Sequence, residues 1–340
     1  MYTVDKKIIS IRNRISDEII SWSLSKEKFL NIISPPYNFC DVFLEIIIRF
    51  IRKNKRVLYI TNESKNNITI INMIKKYTTF KKYVYYEKEI EYENMLLIIS
   101  SHNNAREIEE KFDLVIYDDI KSFSINDRED IVKITLELCK EFGKIIAYSI
   151  EKIFYNNKEV NFPIRENCIP IIEPKFIETR IDINKDIPYV AYEYIKWSIT
   201  NNHKVIIYVP DQQRVRSVYS YLYKYCNDFS RNTMPFVKKQ GYNKLLYSFK
   251  EMQNGIIITN DFDDLYFKLK NINVMVFFAD DIRFDYKKLV YLCGKVGINE
   301  NKHSGEVVFL GNYETDDIDK AKYITRCFNK MAWEMELLNI

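Results

Sequence analysis

The acidic pair Asp118-Asp119 follows an apolar run, FDLVIY (Phe112–Tyr117), with the length and β-branched content of a buried strand. A strand that delivers two carboxylates at its C-terminal end can hold a magnesium ion with the first and orient a water with the second. Acidic residues at strand ends also serve as solvated helix caps, so the pair alone does not establish catalysis. Small polar residues follow the other apolar runs. Thr61-Asn62 come after KRVLYI, Ser100-Ser101-His102 after MLLII, Pro210-Asp211-Gln212 after KVIIYV, and Thr259-Asn260 at the end of GIIIT. Such residues can grip the phosphates of a single strand, or simply cap the next helix, and Asp211 and Asp261 oppose the first use. Lys238-Lys239 and Arg214 with Arg216 are basic, and read first as a solvated face. His102, His203 and His303 are isolated and read as structural. Cys40, Cys139, Cys168, Cys226, Cys293 and Cys327 lie far apart with no CxxC pair, so no metal site is expected and the thiols read as reduced.

Glycine is scarce, and its placement marks where the backbone is demanding. Of seven glycines, four (Gly294, Gly297, Gly305, Gly311) fall in LVYLCGKVGINENKHSGEVVFLG, Leu289 to Gly311. That stretch reads as a helix ending in a GxxG turn, a polar loop, and a strand opened by Gly305. By contrast SPPYNFCD, Ser34–Asp41, holds neither glycine nor lysine, and the first glycine of the chain is Gly143. A phosphate-cradling loop needs close-approaching backbone amides, a lysine and a following Ser or Thr for magnesium. Asp41 stands where that Ser or Thr would be.

These residues need elements to position them. Helical spacing is expected over about 16–33, 42–52 and 64–77, and strands over 55–60, 95–100, 113–117 and 144–148. Residues 161–185 carry three prolines and no helical period, which reads as a bridge with an extended piece at 175–183. Alternation then restarts: helix 189–200, strand 204–209, helix 211–226, helix 243–252, strands 255–259, 273–278 and 306–310, and a last amphipathic helix over 316–338. Two sets of strand–helix alternation predict an α/β protein of two tandem domains with largely parallel sheets. The expected domains are 1–155 and 188–340, joined by a linker over 156–187.

With 340 residues, 47% hydrophobic and 29% charged, the chain reads as a soluble globular protein of two ordinary domains. No apolar run is long enough for a membrane span, and the N-terminal residues have no secretory h-region, so a cytoplasmic location is expected. The net charge of +4 neither requires nor excludes a nucleic-acid partner.

Taken together, YDDIKSF, the proline-punctuated FPIRENCIPIIEPKF, GIIITNDF, NVMVFFADD and the GKVG–GEVVFLGN stretch resemble, in order, the motifs of superfamily-two helicases. The closer resemblance is to the late-competence DNA-uptake ATPase family, the ComF operon protein A type. That resemblance implies two RecA-like domains, single-stranded DNA as ligand, competence-system proteins as partners, and a cytoplasmic position at the inner membrane face. It assigns Asp118 to the metal-associated aspartate and Asp119 to the catalytic glutamate, a side chain one methylene shorter. Lys295 and Ile298 stand where two phosphate-binding arginines would be, leaving Lys295 as the one nucleotide-contact candidate. Thr61, Asn62, Ser101, His102, Gln212, Thr259 and Asn260 become the nucleic-acid candidates. Ser149 is the remnant of the Ser-Ala-Thr motif, and the family's four-cysteine zinc module has no counterpart. With the loop, the glutamate and both arginines altered together, Asp118 and Asp119 are expected to be vestigial and the chain a non-catalytic helicase relative, without cofactor. It would act beside an active paralogue or competence partner. Two alternatives stay open: a working DNA-dependent ATPase using ATP and magnesium, and an interaction scaffold that binds neither ligand.

Overall fold

The computed structural model describes residues 2–88, 91–123, 125–165, 167–225, 233–236, 248–262, 269–298 and 305–338. The chain forms two compact units, Met1–Cys168 with Met331–Asn339, and Ile169–Lys330. Each is an open sheet of parallel strands with helices packed on it.

In the first unit, helix α1 (Tyr2–Leu24) leads into β1 (Phe29–Ile33), followed by α2 (Leu44–Arg52), β2 (Val57–Ile60), α3 (Thr69–Tyr77), β3 (Tyr83–Tyr85), β4 (Leu97–Ser100), β5 (Phe112–Asp118), α4 (Arg128–Leu138), β6 (Cys139–Ser149) and β7 (Lys158–Asn161). The sheet order is β3-β4-β2-β5-β6-β1-β7, and the pairings are parallel. Strands β2 and β4 are buried along their whole length, as expected when helices cover both faces of a parallel sheet.

The expected helix over 16–33 is corrected here. The helix ends at Leu24, where the amide of Ser25 donates to Trp22 O, and FLNII forms the strand next to β6, Phe29 opposite Ile145. A short apolar run does not distinguish a buried strand from a helix by period alone. The strands β3 and β7 escaped the sequence reading for a related reason: three and four residues are too few to show alternation.

In the second unit the order along the chain is β8 (Lys175–Glu178), α5 (Tyr189–Thr200), β9 (Lys204–Tyr208), α6 (Gln212–Tyr225), β10 (Thr233–Phe236), β11 (Gly255–Thr259), β12 (Ile272–Phe277), α7 (Tyr286–Lys295), β13 (Val307–Gly311) and α8 (Asp316–Glu334). The sheet order is β10-β11-β9-β12-β13-β8, again parallel throughout. The extended piece expected at 175–183 is the edge strand β8, shorter at its end, and the last helix stops at Glu334 rather than 338. The start of the helix expected at 243–252, Lys238-Lys239, Cys226, His303 and the polar loop before Gly305 lie outside the described residues. Gly305 itself has φ +85°, and a Cβ there would stand 2.2 Å from Ile272 O, so no other residue fits the entry to β13. No described helix is long and apolar enough to cross a membrane.

One buried polar side chain organises the chain beyond β6. Asn31, fully buried in the middle of β1, donates to Phe154 O (2.9 Å) and accepts from the amides of Ile153 (3.0 Å) and Phe154 (2.8 Å). It thereby fixes the turn that carries the chain from β6 to β7. Asn31→Ala leaves these backbone groups without partners in a dry interior and is expected to cost about 3 kcal/mol. A denaturant titration of the first unit's transition would show a loss well beyond that of a surface substitution; an unchanged midpoint would refute the role.

Candidate nucleotide site and strand-end loops

In open parallel sheets, ligands settle outside the carboxyl ends of the strands. In the first unit that edge gathers the loops after β1, β2, β4 and β5. Asp118 ends β5 and is fully buried. One carboxylate oxygen accepts from the amides of Ile120 (2.9 Å) and Lys121 (3.0 Å), and the other accepts from the hydroxyl of Tyr59, which is itself buried on β2. Burial holds the Asp118 carboxyl above its usual range despite these donors, and pushes the Tyr59 hydroxyl up as well. Asp119 is buried beside it, its amide bonded to Tyr148 O at 2.9 Å.

The loop Ser34–Asp41 closes over this place with side chains. Tyr37 takes φ +65°, the left-handed region that a glycine would occupy without cost, and its amide donates to Ile120 O at 2.8 Å. Asn38 is buried and donates to Ser34 Oγ (2.7 Å) and Ile164 O (2.7 Å). Tyr148, fully buried on β6, donates to Phe39 O at 2.6 Å. Cys40 is buried, and burial raises its thiol well above the ordinary range. Phe43 packs against Tyr148 and Tyr59 with ring centroids 5.1 and 6.4 Å away. Asp41 pairs with Arg12 of α1.

The neighbouring strand ends are tied to one another. Thr61, fully buried, lies 3.2 Å from Ser122 Oγ, which also accepts from the Asn62 amide at 2.7 Å. Asn62 donates to Phe123 O (3.0 Å) and accepts from the His102 amide (3.0 Å). His102 Nε2 donates to Asp118 O at 3.1 Å, and its ring stacks on Tyr117 at 4.7 Å. Ser101 Oγ accepts from the Asn104 amide at 3.1 Å. The fold therefore brings Thr61, Asn62, Ser101 and His102 together beside Asp118; the bonds of Thr61, Asn62 and His102 clasp the loops to one another, while Ser101 bonds within its own loop. Glu63, which the sequence reading did not single out, sits against this group and bonds to Thr69. Burial, with the Asp118 charge added, raises its carboxyl to about 7.

In the second unit Lys295 is buried, donates to Phe262 O at 2.7 Å, and lies 3.4 Å from the Tyr208 hydroxyl. Ile298 follows in a turn after α7. Gln212 is half-buried in the first turn of α6, and Asn260 is half-buried after β11. Thr259 is buried and accepts from the Asp261 amide at 2.9 Å. Asp211 caps α6 through the Arg214 amide at 2.8 Å. It also joins a network that sequence did not reveal. Arg283 bonds Asp281 (2.7 Å) and Asp211 (2.8 Å), and Arg214 bonds Asp211 (2.6 Å). The ion pairs hold both carboxyls below the usual carboxylate range, against the effect of burial. Across the next strand ends, Asn312 donates through its side chain to Thr179 O (2.8 Å) and through its amide to Asp280 (3.2 Å). A Cβ on Gly311 would stand 2.8 Å from the same Asp280 carboxylate, so this close approach needs glycine.

The chain aligns with a structure of RecG bound to a three-way DNA junction over 96% of its length and 46% of that chain, at 13% identity and TM-score 0.56. It aligns with Saccharomyces cerevisiae Dbp5 bound to RNA and ADP BeF3 over 95% of this chain and 91% of that one, at 10% identity and TM-score 0.56. It aligns with the helicase MrfA bound to DNA over 93% of this chain and 51% of that one, at 10% identity and TM-score 0.54. The chain shares the fold of these helicase structures, two tandem RecA-like domains. At these identities the likeness is one of fold, and the chain spans about half the length of the RecG and MrfA chains it matches. No protein-family model matches the sequence. No curated protein gives a significant match to it.

A helicase core implies ATP and magnesium, and the residues present do not fit them. Pro35 and Pro36 have no amide to offer, the amides of Ser34, Tyr37 and Phe43 are bonded within the protein, and Asp118 has both oxygens engaged by protein donors. Tyr37, Asn38 and Cys40 of the same loop are buried.

Two outcomes test this geometry. Tyr59→Phe removes a donor from a buried carboxyl and is expected to cost about 2 kcal/mol, read by chemical denaturation. Glu63 has a folded-state pKa above its unfolded value of 4.5, so its contribution to stability is full below pH 4.5 and is lost as pH rises through about 7. Linkage makes this roughly 3 kcal/mol over that interval. Glu63→Gln should flatten the decline in stability between those pH values; parallel profiles for the two proteins would show that Glu63 titrates normally.

Proposed function

We propose that this chain is a helicase-like protein that binds single-stranded nucleic acid without hydrolysing ATP. The observation that supports the second half is the packed loop after β1: Tyr37, Asn38, Cys40 and Tyr148 are buried, Tyr148 bonds Phe39 O, and Tyr59 bonds Asp118. Lys295 and Asp119, the remaining nucleotide candidates, are buried. The first half is supported by the fold, since RecG and MrfA are described bound to DNA and Dbp5 bound to RNA. The motif order that resembles the late-competence DNA-uptake ATPases favours single-stranded DNA, and a role as a non-catalytic subunit beside an active paralogue or a competence partner at the inner membrane face. On this reading Thr61, Asn62, Ser101, His102, Gln212, Thr259 and Asn260 shape the loops that meet the strand, contributing backbone amides more than side chains.

Calorimetry with ATP and magnesium, with and without a single-stranded oligonucleotide, tests both halves on one sample. The expected result is no heat from ATP, no turnover, and oligonucleotide binding that weakens steeply as salt rises. Asp118→Asn and Lys295→Met should leave oligonucleotide affinity within about twofold, because neither side chain reaches a ligand on this reading. Micromolar ATP binding with DNA-stimulated hydrolysis would overturn the non-catalytic half. Absence of oligonucleotide binding at low salt would overturn the other.

A further inference from the structure

The strand-end loops leave open where phosphate charge would be met. In the first unit, the polar side chains at that edge are engaged with one another. In the second unit, the loops after β12 and β13 and the start of α8 carry Asp280, Asp281, Glu314, Asp316, Asp317 and Asp319. Among the described residues Arg283 and Arg214 pair with Asp281 and Lys322 with Glu314, and Lys287, Lys288 and Lys320 stand in the same stretch. An edge of mixed and largely paired charge gives a polyanion little net attraction.

Positive charge is concentrated elsewhere, on the flank of the first unit. A cleft of about 780 Å³ opens between α1 and α2, with Arg12, Arg49, Arg52 and Lys53 among its lining and only Asp41 and Glu45 as carboxylates. Both carboxylates are neutralised from within: Arg12 pairs with Asp41, and Arg49 with Glu45 at 2.6 Å. Arg52 and Lys53 are exposed and make no ion pair among the described residues. Lys55, also exposed, continues the row beyond the helix, its ammonium 5.5 Å over the Phe50 ring. The row Arg49, Arg52, Lys53, Lys55 follows the last turn of α2 and the loop after it, so the charge is spread along a path. Cations in a last helical turn complement the helix dipole. That accounts for Arg49 and Arg52, but it asks neither for a cleft nor for Lys53 and Lys55 past the helix end.

We propose that the cleft between α1 and α2, with Arg52 and Lys53 at its rim, binds the phosphodiester backbone of single-stranded nucleic acid. The proposal rests on the nucleic-acid half of the function given above. It places the main electrostatic contact on the flank of the first unit, where Asp41 at the end of the loop after β1 is already paired with Arg12, and not among the clasped side chains of the strand ends. Arg contributes a planar fork that can take two phosphate oxygens, and Lys a mobile point charge, a combination suited to an irregular single strand.

The test is fluorescence anisotropy with labelled oligothymidylate across a salt series, on the full chain. The double variant Arg52→Glu/Lys53→Glu is compared with Lys75→Glu/Lys76→Glu, which reverses two exposed cations in the last turn of α3 of the same unit. The control matches the change in net charge and in helix-end charge. The expected result is a loss of about tenfold or more for the first pair, with a shallower dependence on log salt by about 1.4, and less than threefold for the second. Equal losses would mean general electrostatics and would overturn the cleft. Unchanged binding in both variants would overturn the cleft and leave the proposed function standing. No binding by the unmodified chain would remove the nucleic-acid reading itself. Thymidine monophosphate is added as a competitor: displacement at concentrations comparable to the oligonucleotide's would show a small phosphate ligand and overturn the assignment to a strand. Should the charge reversals fail to fold by circular dichroism, Arg52→Gln/Lys53→Gln with Lys75→Gln/Lys76→Gln carries the same comparison.

Discussion

A carboxylate with no access to water must be satisfied by the protein or lose its charge, and Asp118 imposes that condition on everything around it. Its partners come from two strands and one loop: the Tyr59 hydroxyl from β2 and the amides of Ile120 and Lys121 beyond β5. Those bonds set the turn after β5, and the turn offers Ile120 O to the Tyr37 amide. The loop after β1 is thereby drawn down onto the strand ends, where Tyr148 and Asn38 hold it. A crevice that in this architecture faces a ligand is here part of the core.

The gross architecture was readable from alternation, because most strands are short apolar runs set between helical patterns. What escaped had a physical cause in each case. Phe29–Ile33 packs between two strands and carries no period of its own. Tyr83–Tyr85 lies at the sheet edge with three half-buried residues, so neither length nor pattern marks it. Of the candidate site, the loop without glycine or lysine and the acidic pair after β5 were legible in sequence. The replacements were not legible. Tyr59 and Tyr148 look like ordinary strand aromatics, and only pairing across β2, β5 and β6 shows that their hydroxyls point at the loop and the carboxylate. Glu63 likewise becomes notable only when the fold sets it against Asp118.

The distribution of charge is as informative as the motifs. The chain is nearly balanced overall, yet carboxylates gather on the strand-end loops of the second unit while cations gather on α2 of the first. Composition averages this away, whereas a polyanion meets each surface separately. On the proposed reading, nucleotide chemistry and an electrostatic surface can therefore change separately in such a fold. The first changes buried side chains, and the second depends on exposed ones.

The Asn312 bridge has a mechanical consequence. Its side chain holds Thr179 after β8, its amide holds Asp280 after β12, and Gly311 lets that carboxylate approach at the end of β13. Three strand ends that are distant in sequence thus share one fastening. Opening any one of these loops breaks a bond that another depends on, so the three ends are expected to open together.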